Sequence, residues 1–330
     1  MKSRLVSLVV AALLITIAVA APGVRAQRKH QNAVIDIWTQ GKPVFGVYVP
    51  SMGQPLWSEP SPQPNPAAAR GGQAGFGQRG TPQVRPDPVY TKDIGEALAK
   101  DPLVDFAFLN LEGGYDASGA KAIIDGLRSP GTTHRVTLIV RIPSIQDAGA
   151  DKTRVRVKQL LDMGADGVTH PENRGLDDAK LAMSFYADAK ADVWSPMNPN
   201  GEKLAMIMLE DPTALMQAKD VADMRNFSIM ACGIGSLGGA FQQGGIVRSL
   251  VAWEFLTQAQ ATTLNELGTQ KLLAESKRVG IPNMLTASAN KDAEGVPNVV
   301  KRVKEGFLAL LMSGPGSDDA IKLGRAAAGR

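Results

Sequence analysis

Cysteine is almost absent from this chain. Cys232 stands alone among 330 residues, so no intrachain disulfide can form and an ordinary hydrophobic core must supply the stability. Histidine is nearly as scarce: His30, His134 and His170 are the whole supply of the side chain best suited to proton transfer near neutral pH. No glycine-rich dinucleotide turn follows an early strand, which argues against an open, doubly wound nucleotide-binding sheet. A basic stripe interleaved with aromatics is missing too. The formal net charge is +4, but Lys2, Arg4 and Arg25 belong to a segment expected to be removed. Without those three it falls to +1, ignoring termini, which gives no case for a nucleic-acid partner.

That segment is residues 1–26. Lys2 and Arg4 make a short basic start, residues 5–21 form a nearly unbroken apolar run, and Val24-Arg25-Ala26 puts small residues where a signal peptidase reads. The layout predicts a secretory signal peptide. The other reading is an uncleaved membrane anchor, for which the run is barely long enough. No cysteine follows the run to carry a lipid. The expectation is an exported chain, periplasmic or secreted, with no stable membrane anchor after cleavage.

The mature part, 27–330, reads as one domain, large enough to bury a substantial core. It is interrupted at 52–90 by a stretch dominated by Gly, Pro, Gln and Arg, "SPQPNPAAARGGQAGFGQRGTPQVRPDP". No apolar period survives there, so a long loop or lid is expected. Elsewhere short apolar runs alternate with helical stretches. Eight strands are predicted at 44–50, 106–112, 137–143, 165–171, 204–210, 228–233, 281–288 and 307–313. Helices are predicted at 94–100, at 154–164 with Gly164 as the stop, at 176–190, and at 212–224 with Asp211-Pro212 as cap and first position. The stretch 248–280 reads as two helices broken near Gly268. Eight near-continuous apolar strands, each with helical material nearby, argue for a (β/α)₈ TIM barrel of parallel strands buried on both faces.

In such a barrel the chemistry sits where the strands end. The second strand delivers Asn110 and Glu112, the third Arg141, the fourth His170, the fifth Glu210 and Asp211. The sixth runs into "CGIGSLGG", which brings Gly233 and Ser236 to the substrate side. A guanidinium fork suits a carboxylate or an enolate, and carboxylates with water suit Mg²⁺ or Mn²⁺. Each residue also has a plainer reading. Arg141 can be a structural ion pair with Glu112 or Glu210, His170 a packed histidine, and Asp211 a helix cap.

Two segments, "TLIVRIPSIQDAGADKTRVRVKQLLDMGADGVTHP" and "MIMLEDPTALMQAKDVADM", resemble consecutive blocks of the HpcH/HpaI aldolase and citrate lyase family. "FAFLNLEGGYD" and "MACGIGSLGGAFQQ" sit where that family has Asp-x-Glu-His and Gly-Pro-x-Asp-Leu. The likeness runs from about Val44 to Gly314. It implies a barrel of the phosphoenolpyruvate/pyruvate type and a divalent cation, Mg²⁺ or Mn²⁺. It also implies carbon–carbon lyase chemistry on a 2-oxo or 4-hydroxy-2-oxo acid through a stabilised pyruvate enolate. Arg141 matches the family arginine, Glu210 the first metal carboxylate, and Glu112 a glutamate near the metal's waters. The departures are at Gly113, where the family has its histidine, at Asn110 in place of an aspartate, and at Ser236 in place of the second metal carboxylate. Three outcomes follow: a lyase that recruits His170 as base, a related lyase or hydrolase needing no such histidine, or a catalytically silent exported barrel that binds a 2-oxo acid or dicarboxylate. A homo-oligomer is expected, with 248–280 as the candidate surface.

Overall fold

The computed structural model describes residues 29–49, 90–131, 134–233, 257–312 and 316–330. The expected signal peptide, the insertion up to residue 89, Ser236 and the start of the 248–280 stretch lie outside the described residues. Among the described residues, no helix is long and apolar enough to cross a membrane.

All eight expected strands form: β1 (Val44–Val49), β2 (Phe106–Asn110), β3 (Thr137–Arg141), β4 (Gly167–Asn173), β5 (Leu204–Leu209), β6 (Ile229–Ala231), β7 (Asn283–Ala287) and β8 (Ala309–Met312). They pair in chain order, all parallel, and β1 also pairs with β8, closing the barrel. The expected (β/α)₈ barrel is therefore the observed fold. Successive side chains of a strand point to opposite faces, and both faces are apolar here. Phe106, Phe108, Met206, Met208 and Leu311 fill the interior. Ala107, Leu109, Ile207, Leu209 and Leu310 pack outward with the helices.

The floor is closed by α1 (Ala33–Thr39). Its Trp38 stacks on Trp194 with ring centroids 5.6 Å apart, and the Trp38 Nε1–H donates to the Leu308 carbonyl at 2.8 Å. Two buried aspartates stand just before strands at this end. Asp105 accepts from the Phe45 N–H at 2.8 Å and pairs with Arg325 and Arg330. Asp166 accepts from the Leu138 N–H at 2.8 Å and pairs with Arg128 and Arg135. Each carboxylate satisfies a neighbouring strand's amide, and two arginines offset its desolvation.

On the outside, α2 (Lys92–Lys100) and α3 (Ala117–Leu127) cross at Gly95 and Gly126. A Cβ on Gly126 would overlap the Lys92 carbonyl, and one on Gly95 the Ile123 carbonyl. After β3 come α4 (Ile145–Ala148) and α5 (Ala150–Met163), which stops at Gly164 in the left-handed region as expected. Next is α6 (Leu176–Asp188). The helix expected over 212–224 is instead two, α7 (Pro212–Met216) and α8 (Ala218–Asp223). The break is at Gln217, whose side chain turns back to accept the Leu176 N–H at 2.9 Å. Asp211 caps α7 through the Thr213 N–H at 2.7 Å. The expected break at Gly268 is absent: α9 (Gln258–Val279) runs straight through it. One interior glycine costs a helix about 1 kcal/mol, less than the burial of Leu272 and Leu273 that continuing the helix secures. The remaining helices are α10 (Asn298–Glu305) and α11 (Ser317–Ala327).

Two stability predictions follow from this packing. Gly126→Ala should destabilise by about 1–3 kcal/mol, as overpacking does, read as a lower denaturant midpoint with unchanged slope. Glu266 of α9 takes a two-pronged ion pair from Arg302 of α10, at 2.7 and 2.8 Å. Those hydrogen bonds hold its pKa down at about 2, against about 4.3 in an unfolded chain. A depressed carboxylate stabilises the fold above the unfolded value and loses that contribution as pH falls toward 2. Acid titration of Glu266→Gln should therefore lose less stability than wild type across that window; identical curves would contradict the assignment.

Candidate active site

The alternation of the strands decides which side chains reach the mouth. In β3 the interior stripe is Thr137, Ile139 and Arg141. In β5 it is Leu204, Met206 and Met208, and continuing it by one step gives Glu210. In β1 it is Val44, Gly46 and Tyr48, and in β6 Ile229 and Ala231, continued by Gly233. These stripes bring Tyr48, Arg141, Glu210 and Gly233 to the C-terminal rim, where Gly233 backs onto Glu210 and the acids meet at one point.

That point is the Arg141 guanidinium. Its Nη2 lies 2.5 Å from Glu112 Oε1 and 3.4 Å from Glu210 Oε2. Arg141 is 6% exposed and Glu210 3%, so this is a buried ion pair whose partners have surrendered most of their hydration. Burial alone would lower the arginine pKa, but Glu210 and Glu112 reverse the shift and raise it. Glu112, nearer the rim, moves the other way from a simple ion pair. Burial raises its pKa, Arg141 opposes this, and the carboxylates of Glu210 and Glu172 push it further up.

The backbone fixes both acids. The Glu112 N–H donates to Asn110 Oδ1 at 3.1 Å, and the Tyr90 hydroxyl donates to the Asn110 carbonyl at 2.9 Å. Asn110 thus holds the turn that presents Glu112. Glu210 Oε2 accepts the N–H of Glu172 at 3.0 Å. That amide is aimed by a bulge: the β4–β5 register shifts between His170 and Asn173, and Glu172 sits at φ 54°, rarely adopted by a non-glycine residue. The Asn173 side chain bridges the gap, donating to the carbonyls of His170 at 2.6 Å and Met208 at 3.4 Å.

Two polar atoms in this cluster are buried without a partner among the described residues, Glu210 Oε1 and Arg141 Nε. A carboxylate oxygen that has lost its water and gained no donor carries a cost, which a cation or a ligand hydroxyl would remove. Gly233 keeps this place open, because a Cβ there would overlap Glu210 Oε1. One arginine faces two carboxylates, Glu112 and Glu210, and the Glu172 carboxylate lies near enough to Glu112 to raise its pKa. This donor set fits a hard divalent cation that completes its shell with water and ligand oxygens. Glu210 and Glu112 would hold it. Among the described residues there is no cluster of three or more His, Cys, Asp and Glu placed as metal ligands.

Of the residues expected from the sequence, the structure brings together Glu112, Arg141, Glu210 and Gly233. Ser236 lies outside the described residues. His170 is not brought to the others. Gly167 and Thr169 of β4 face the interior, so His170, one residue on, faces the helices. It packs against Phe185 and Tyr186 of α6, with ring centroids 6.0 and 5.7 Å apart. Both ring nitrogens lack a partner among the described residues, and burial pushes its pKa down to about 3. It is a neutral core side chain. The expected role as base is corrected for that reason: period two puts it on the wrong face. His134 sits at the opposite end, its Nε2 2.7 Å from the Val104 carbonyl. Sequence reasoning missed Tyr48 and Glu172. Tyr48 could have been found by counting back in twos along β1; Glu172 acts through its amide, which leaves no trace in the letters.

No protein-family profile matches the chain, and no curated protein does. Solved structures do match. The chain is similar to an HpcH/HpaI aldolase from Desulfitobacterium hafniense DCB-2, at 17% identity and TM-score 0.52, over 84% of this chain and 89% of that one. It is also similar to an HpcH/HpaI aldolase/citrate lyase family protein from Burkholderia cenocepacia J2315, at 15% identity and TM-score 0.55, over 90% and 96%. The chain shares the (β/α)₈ barrel fold of these structures. Macrophomate synthase shares it as well, at 13% identity and TM-score 0.52, over 91% and 87%.

Gly233→Ala tests the geometry of the rim. The added methyl must displace the Glu210 carboxylate, so ligand-induced thermal stabilisation by oxalate with Mg²⁺ should be lost. The fold itself should weaken by about 1–3 kcal/mol. A variant that is stabilised by oxalate as well as wild type would show that Glu210 is not where binding happens.

Proposed function

We propose that the chain is a carbon–carbon lyase of the aldolase kind, acting on a 2-oxo or 4-hydroxy-2-oxo acid by way of a pyruvate enolate. The observation that carries this reading is the buried Arg141, held between Glu112 and Glu210 at the C-terminal mouth of the barrel. Glu210 and Glu112 would hold a Mg²⁺ or Mn²⁺, which would supply Lewis-acid polarisation of the 2-oxo group. Arg141 keeps its charge through burial and offers fixed donors to an oxygen that becomes negative as the bond breaks, with no reorganisation at that moment. Glu210, clamped by the Glu172 amide, keeps one oxygen free. Glu112, with its pKa raised, is the acid of the group best poised to exchange a proton with solvent at the rim. The fold-level likeness to aldolases supports the reading by analogy. Export from the cytoplasm and a homo-oligomeric state belong to the same proposal and rest on the sequence alone.

A second reading is favoured by one specific place. Gly113, where the resembling family carries histidine, is exposed, and nothing lies within 4 Å of where its Cβ would be. With His170 turned to the helices, no histidine among the described residues serves the mouth. That supports a barrel that binds a 2-oxo acid or dicarboxylate without turning it over.

Pyruvate release from a panel of 4-hydroxy-2-oxo acids, with Mg²⁺, Mn²⁺ or EDTA, separates the two. The lyase reading expects release that needs metal and disappears in Glu210→Gln and in Arg141→Lys. The lysine keeps the charge but loses the fork, and it avoids the roughly 3–5 kcal/mol cost of leaving Glu210 buried alone. No turnover, beside thermal stabilisation by oxalate or pyruvate, would decide for the binder. In that case Gly113→His should gain activity without loss of stability, since the position is exposed and its Cβ would meet nothing within 4 Å.

A further inference from the structure

Three polar features stand out beyond the ion pair itself. The buried aspartates at the floor are fully paired and serve the strands. The Glu172 bulge serves Glu210 through its backbone. Tyr48 has no such duty. It lies on the interior stripe of β1, in register with Phe108 of β2, and meets that ring edge-on, with centroids 5.3 Å apart and planes at 77°. Phe108 is fully buried while Tyr48 is partly exposed. The Tyr48 ring therefore caps the packed interior, and its polar end belongs to the mouth.

We propose that Tyr48 is a catalytic residue, the second hydrogen-bond donor, beside Arg141, to the 2-oxo oxygen of the bound acid as it becomes an enolate. This rests on the lyase reading above and adds a named donor to it. Three features support it. The Tyr48 phenol interacts electrostatically with the same Arg141 guanidinium that Glu112 and Glu210 hold, which puts it in the cluster at the mouth. An anion drawn to that guanidinium therefore comes within reach of the phenol. Burial raises the phenol pKa; Arg141 opposes this, while Glu210 and Glu112 add to the rise, so the group stays neutral and keeps its proton to donate. Finally, Arg141 is shared between two carboxylates, and a further neutral donor stabilises a forming oxyanion without needing another countercharge. No proton changes hands in this role: the phenol O–H strengthens its hydrogen bond as charge builds on the oxygen and weakens it as charge leaves.

The test is Tyr48→Phe, which keeps the ring against Phe108 and removes one oxygen. Oxalate resembles the planar enolate, and pyruvate resembles the ground state. Their dissociation constants are measured by calorimetry with Mg²⁺, for wild type and variant. The expected result is a loss of about tenfold for oxalate, the worth of one hydrogen bond to a charged group, with pyruvate changed by less than about threefold. Where wild type turns over, kcat should fall on the order of 10²-fold with little change in KM. Unchanged oxalate binding, or equal losses for both ligands, would overturn the assignment. Wild type that prefers oxalate in a Tyr48-dependent way yet cleaves nothing would sink the lyase reading alone, leaving Tyr48 as a donor to a bound oxyanion. Failure of wild type to bind oxalate at all would overturn both.

Discussion

A strand in a closed barrel has two faces, and every residue must take one of them. That alternation is the constraint on which the rest of this structure depends. It sends Phe106, Phe108, Met206 and Met208 into a packed interior, and the same count, carried to the rim, lands on Arg141 and reaches Glu210. The site is the interior stripe continued past the point where apolar side chains can no longer meet across the barrel. A slip of one residue in β3 would turn Arg141 toward the helices and leave Glu210 buried without a counterion. Core and site are therefore stabilised by one register, and neither can shift without the other.

At the mouth, the energetics are those of a charge imbalance held in place. Removing Arg141 and Glu210 from water costs several kcal/mol each, and a buried pair rarely recovers that with much to spare. Here the arginine answers two carboxylates, so its positive form is secure. The acids are less well served: Glu112 is pushed toward its protonated form, and one oxygen of Glu210 has no partner among the described residues. A fold optimised only for stability would be expected to fill such a place with apolar side chains. The cluster fits better as the protein half of an arrangement that a ligand completes.

The legible part of the sequence was whatever a run of letters fixes locally. All eight strands appear where short apolar runs stand with a glycine or proline near at least one end, and Gly164 and Asp211 stop and start their helices as their chemistry dictates. Arg141, Glu112 and Glu210 could be read because each closes an apolar run. His170 also closes one, yet it faces outward. Position at a strand end does not decide the face, and only the parity set by Gly167 and Thr169 does. Gly268 misled for a different reason: a local preference of about 1 kcal/mol is readily overruled by packing that the sequence does not display. Gln217 broke a helix because its side chain was needed by the backbone of a distant segment.

Glu172 shows a further kind of concealment. What it gives Glu210 is a main-chain amide, aimed by a backbone turn that Asn173 braces. Any residue that tolerates the left-handed conformation could occupy the position and supply the same N–H. Drift there would leave the anchor intact while erasing its signature, so two chains could share this support for the glutamate and have no letter in common at the place that provides it.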